Sequence, residues 1–158
     1  MKVLVKTTGS AALLVSLSLL CAGGVQARNE PFFFPIQDAF KTGEARSRFN
    51  GDIKFYFGDQ PYPDVEATLS QGIVAYKKGT IYNAGEREEE EVKTCHKTFL
   101  VALAELQARA RRVGGNAVIN IESYYKDVSF RSNDQYECRV GNAKTGVMLR
   151  GDIVRLKN

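Results

Sequence analysis

The chemistry open to this chain is narrowed first by its single histidine, His96. One imidazole removes the HExxH metalloprotease pattern and the zinc sets that draw on two. The nearest nucleophile is Cys95, its neighbour in sequence. Adjacent side chains on a helix diverge by about 100°, so the two do not make the hydrogen-bonded nucleophile and base of Cys–His catalysis. The acidic run Glu86, Glu88, Glu89, Glu90 and Glu91 has the charge to attract a divalent cation. Calcium ligands come from a loop wrapped round the ion, whereas this run spreads its carboxylates around a helix start and offsets the positive end of the helix dipole. Asp59, Asp64 and Glu66 repeat the idea more weakly beside two prolines. No pattern pairs two acids across a cleft, as glycoside hydrolysis requires. A phosphate loop needs G-x-x-x-x-G-K-S/T; its nearest approach is Ala143-Lys144-Thr145, where Cys138 and Ala143 stand in place of the two glycines. ATPase chemistry is therefore set aside, and no catalytic set, cofactor or metal site is expected.

The three cysteines lead elsewhere. Cys21 lies in an opening segment that runs from Lys2 and Lys6 through an apolar stretch around Ala11 to Leu20, ending Val25-Gln26-Ala27. Basic, then apolar, then small-x-Ala is the order of a secretory leader, with cleavage expected after Ala27 and an uncleaved anchor as the alternative. Leu20 before Cys21 argues against a lipid-bearing cysteine, because a small residue is wanted there. Removing 27 of the 158 residues leaves 131, and the 22 Lys and Arg fall to 20 against 18 Asp and Glu. The basic pI of about 9.0 thus belongs partly to the leader, and a nucleic-acid reading, which seeks a strongly basic face, loses its support. Export implies an oxidising compartment, so the remaining pair, Cys95 and Cys138, is expected to form a disulfide in a periplasmic or secreted protein with no membrane-spanning segment in its mature part.

The elements that position these residues follow from periodicity. With 44% apolar and 25% charged residues, nine Phe and seven Tyr, the chain has enough surface to bury for one domain and is not disordered. Residues 28–50 read as an extended segment, Pro31 to Pro35, and a short helix from about Ile36; residues 51–158 read as a single α+β domain. Strands are expected at 52–57, 72–78, 117–125, 135–140 and 147–156, the last bulged at Gly151. About Phe99, at roughly 100° per residue, Val92, Cys95, Leu103, Leu106, Ala110 and Val113 all fall within about 40°, which predicts one long amphipathic helix. Glu88 to Glu91 begin it, Arg109, Arg111 and Arg112 end it, and Gly114-Gly115 caps it. The helix stripe takes Cys95 and the alternation of Tyr136, Cys138 and Val140 takes Cys138 to the same helix–sheet interface. The expected architecture is a twisted antiparallel sheet of about five strands, ββαβββ, with the helix on one face.

The other face would carry Lys54, Tyr56, Tyr76, Asn120, Glu122, Tyr124, Glu137 and Arg139. Within it Tyr56, Tyr76, Tyr124 and Arg139 form the candidate interaction surface, since Tyr and Arg are enriched in interface cores. The amino-terminal phenylalanines and the short helix with Ile36 and Phe40 are the alternative occupants of that face. The arginines at the helix end are a second, weaker anion-attracting group.

Four strings carry a resemblance: FYFGDQ at Phe55 to Gln60, ALAELQARARRVGGNAVINIESYYK at Ala102 to Lys126, YEC at Tyr136 to Cys138 and GVMLRGDIVRL at Gly146 to Leu156. They resemble a family of small exported proteobacterial proteins often labelled "excinuclease ATPase subunit", a label the failed phosphate loop does not support. More distantly, the helix, Gly-Gly-Asn-Ala-Val and a strand are similar to the YbjQ and RcsF type of α+β domain, in which a cysteine before the helix bonds to one in a later strand. The chain lacks that type's second cysteine pair, so a signalling role does not transfer. The expectation is a small periplasmic, non-enzymatic protein that binds an envelope component or partner protein, not a DNA-repair subunit. A hydrolase acting on an envelope substrate and a metal-binding module are the alternatives.

Overall fold

Alternation and helical period decide where each segment buries its side chains in a computed structural model that describes residues 27–82 and 87–157. All of the expected leader but Ala27, Cys21 included, lies outside the described residues, as does Glu86 of the acidic run.

The chain enters as strand β1 (Glu30–Pro35), where an extended segment without a strand partner is predicted. Two prolines are tolerated because the strand lies at a sheet edge, pairing only with β6 (Gln135–Val140). Phe32 and Phe34 turn inward to Cys138 and Tyr136 while Phe33 turns out against Phe130. Two short helices follow, α1 (Ile36–Phe40) and α2 (Gly43–Arg48). They pack on the helical side of the sheet, where Phe40 meets Phe99 edge-on and Phe49 meets Phe55. The apolar side chains of this segment are thus drawn into the core, and the helix with Ile36 and Phe40 leaves the opposite face open.

Strand β2 (Lys54–Phe57) runs parallel to β4 (Ala117–Tyr125), not antiparallel as predicted. Its Phe55 and Phe57 must reach Phe49 and Phe99. The free edge of β4 is the slot beside them, and the chain leaving α2 enters it in β4's own direction. Strand β3 (Val65–Thr80) is sixteen residues long and pairs along the whole of β7 (Lys144–Leu156). The predicted strand is much shorter because Gly72, at φ +61°, interrupts the alternation. Irregularities in β3 and β4 flank β7: Asp152 accepts hydrogen bonds from the Gly72 amide and the Asn120 side chain and ties them together. Strand β5 (Val128–Phe130) closes a hairpin on β4 through Lys126 and Asp127 at φ 49° and 64°, the left-handed pair of a two-residue turn.

The other edge of β7 is divided. It bonds β6 at Thr145 and Gly146 and β4 from Leu149 onward, so the sheet splits and curls. The result is a mixed sheet of seven strands, five of them in the order β1-β6-β7-β4-β2, with one long helix, α3 (Arg87–Val113), laid over it. Cys95, Phe99, Leu103, Leu106 and Ala110 of the predicted stripe are fully buried; Val92 is half-buried and Val113, the last helical residue, exposed. Gly114 stops the helix at φ +76°, with Gly115 N–H donating to Ala110 O and Gly114 N–H to Arg111 O, the two bonds of a Schellman cap. No helix among the described residues is long and apolar enough to cross a membrane.

Candidate functional site

Cys95 and Cys138 meet at the helix–sheet interface, their sulfurs 2.05 Å and Cα atoms 5.9 Å apart, both without solvent exposure. Neither thiol is available for chemistry. His96, one residue on, leaves the stripe and accommodates its ring against Phe34, with Nδ1 2.8 Å from the Tyr136 hydroxyl. Burial lowers the imidazole below its ordinary range against an opposing pull from Asp38, and burial pushes the Tyr136 phenol up. An imidazole facing a phenol that stays protonated has no nucleophile to activate.

Part of each charged run is held internally, while Glu88, Glu89 and Arg112 are exposed. Glu91 is buried and meets Arg28 and Arg87; burial alone would raise its carboxyl, but hydrogen bonds from the two guanidinium groups bring it below the usual range. Glu90 pairs with Lys93. Among the described residues no three of His, Cys, Asp and Glu converge as a metal site. Arg109 pairs with Glu105, and Arg111 clasps Asp52 through Nε and Nη2 at 2.6 and 2.9 Å. This clasp holds the Asp52 carboxyl down at about 2.

The four residues of the predicted surface lie in three places. Tyr56 stands at the far end of the sheet against Tyr62, on β2. Tyr124 lies under the Arg150 guanidinium, 3.8 Å from its ring centre, beside an Arg150–Glu122 ion pair reinforced by Ser129. Tyr76 and Arg139 do come together. Gly146 of β7 is directly opposite Lys78 on β3 and Arg139 on β6, so three neighbouring strands present a cation, a missing side chain and a cation in one row. Along this row lies a hollow of about 180 Å³ walled by Tyr76, Tyr125, Arg139, Lys78 and Lys144, with no carboxylate among its lining residues. Tyr76 leans toward Gly146, and the Tyr125 ring lies 4.6 Å below the Arg139 guanidinium. Glu137, buried beneath, pairs with Arg139 Nε.

Lys78 shares the face of Tyr76 by simple alternation and was legible. Gly146, Lys144 and Tyr125 become neighbours only through register, which no local pattern carries. A larger hollow, about 410 Å³, lies between β3 and α3 over Gly79, Thr94 and Thr98. Its central hydroxyl is already committed, since Thr98 donates to Thr94 O or shares a proton with Thr145. The row through Gly146 is therefore the better candidate. Comparison with known proteins returns no matching family model, no matching curated protein and no matching solved structure for this chain.

Proposed function

We propose that this chain is a small exported, non-enzymatic binding module of the cell envelope that engages its partner through the open sheet face around Tyr76 and Arg139. The observation that carries the reading is the row Lys78–Gly146–Arg139, with aromatic walls and no lining carboxylate. Tyr and Arg are the residue types that anchor interfaces, and here they are held in place before any partner arrives. The buried disulfide and the leader-like opening segment support the periplasmic or secreted location.

The resemblance to the small exported proteobacterial family supports the same reading. With the peripheral strands β1 and β5 and the short helices α1 and α2 set aside, the remaining elements run β2, β3, α3, β4, β6, β7, in keeping with the ββαβββ order and with a YbjQ/RcsF-like domain. The test is capture of crosslinked envelope partners by the wild-type protein and by a Tyr76→Ala, Arg139→Ala variant that unfolds at the same temperature. Loss of a specific adduct in the variant supports the assignment. An unchanged set of adducts refutes it.

A further inference from the structure

The hollow over Gly146 has a charge and a size that specify more than an interaction surface. We infer that it is a site for a phosphate monoester, a claim that rests on the open face being the binding face. Four cations border it, Arg28, Lys78, Arg139 and Lys144. Two are neutralised, Arg139 by Glu137, and Arg28 together with Arg87 by Glu30 and Glu91. Lys78 rests over the Tyr76 ring and Lys144 donates to the Thr80 hydroxyl at 2.7 Å, and neither has a carboxylate partner among the described residues. The hollow thus holds an excess of two positive charges, which a phosphate monoester near neutral pH, at about −1.5 to −2, balances and a carboxylate does not.

Arg139 supplies the directionality. Its Nε is in ion-pair contact with Glu137 Oε1, though neither atom makes a hydrogen bond, and its central carbon lies 4.6 Å from the Tyr125 ring centre. These contacts hold the guanidinium while its terminal nitrogens have no hydrogen bond to a described residue. A guanidinium held in this way offers two parallel N–H donors to one oxyanion. Gly146 lets the Tyr76 ring pack down on the row, its hydroxyl and Cε2 3.3 and 3.4 Å from where a Cβ would lie. Any side chain there would push Tyr76 out of the wall between Lys78 and Arg139. At about 180 Å³ the hollow is below the roughly 300–1,000 Å³ of pockets that enclose a whole small molecule, so it takes the phosphate and leaves the rest of the ligand outside.

The test titrates the oxidised protein with inorganic phosphate, glycerol 3-phosphate and, at matched ionic strength, acetate, following backbone amide shifts. The expected result is a saturable response to both phosphates at Lys78, Arg139 and Gly146, with at most a weak one to acetate. The Lys78→Gln, Lys144→Gln pair should weaken it about tenfold or more, and Gly146→Val should abolish it without altering charge. Should the valine variant not fold, the lysine pair, both at exposed positions, decides alone. Equal responses to acetate and phosphate, no response at these residues, or an undiminished response in the lysine variant would overturn the proposal. Sedimentation with phosphatidic-acid and phosphatidylcholine vesicles separates the sources: retention by phosphatidic acid alone identifies a lipid headgroup, and binding to glycerol 3-phosphate without retention identifies a soluble ester. If phosphate does not bind but the Tyr76→Ala, Arg139→Ala variant still loses its adduct, the ligand class falls and the binding face stands.

Discussion

Replacing both Cys95 and Cys138 by alanine should cost the protein much of its stability. The bridge spans a sequence separation of 43 residues, and releasing a loop of that length returns about 4 kcal/mol of chain entropy to the unfolded state at 25 °C. Both sulfurs are fully buried against α3 and β6, so alanine also leaves small gaps, adding about 1 kcal/mol. Against the roughly 5–15 kcal/mol of an ordinary domain, a loss of about 5 kcal/mol leaves a marginal fold. The matching shift in melting temperature is about 15 °C, taking roughly 3 °C per kcal/mol for a chain of this size. Urea unfolding of the wild type, the reduced wild type and the double variant measures this directly. The reduced protein should track the variant to within about 1 kcal/mol, the share assigned to the gaps. A loss under about 1 kcal/mol, or reduction without effect, would refute the view that this bridge ties helix to sheet.

Three further outcomes follow from single residues. Because the Arg111 clasp holds Asp52 at about 2, its stabilisation is complete above the ordinary carboxylate value of 3.8 and is lost as pH falls toward 2; Asp52→Asn should flatten that part of the acid-unfolding curve, and an unchanged curve would contradict the clasp. His96 is depressed by burial, with Asp38 opposing and Tyr136 as its hydrogen-bond partner, so stability is fully present above its ordinary value of 6.5 and declines as pH falls below it; His96→Gln should remove that slope between wild-type and variant melting curves. Gly58→Ala should destabilise by about 3 kcal/mol in denaturant titration, because φ is +56° and a Cβ would lie 2.7 Å from the Ser132 backbone carbon; a change within 0.5 kcal/mol, roughly the scale of a neutral surface substitution, would contradict it.

The parts of this fold that are legible in the sequence are those set by local period. The α3 stripe and its glycine stop can be read because a helix repeats its environment every turn, and Cys138 is placed by the two-residue period of β6. Strand β1 is hidden by its prolines, and most of β3 by the positive-φ Gly72. The parallel β2–β4 pair has no local signature at all, since direction depends on where the chain goes after α2. The same distinction runs through the candidate site. Alternation says correctly that Tyr56, Tyr76 and Arg139 leave the helix side of their strands, but not how far apart those strands lie. Tyr56 sits on β2, at the opposite end of the strand order from β6. Gly146 carries no side chain to attract notice, yet it is what lets Tyr76 pack down on the row.

The open face around Gly146 is tested most directly by a photocrosslinking amino acid placed at Tyr76 in the full-length protein, compared with one at Arg112 on the exposed side of α3. Irradiation in intact cells should give a discrete adduct from position 76 that disappears when Arg139 is changed to Ala, and none from position 112. Equal adducts from both positions, or an adduct at 76 indifferent to Arg139, would contradict the account.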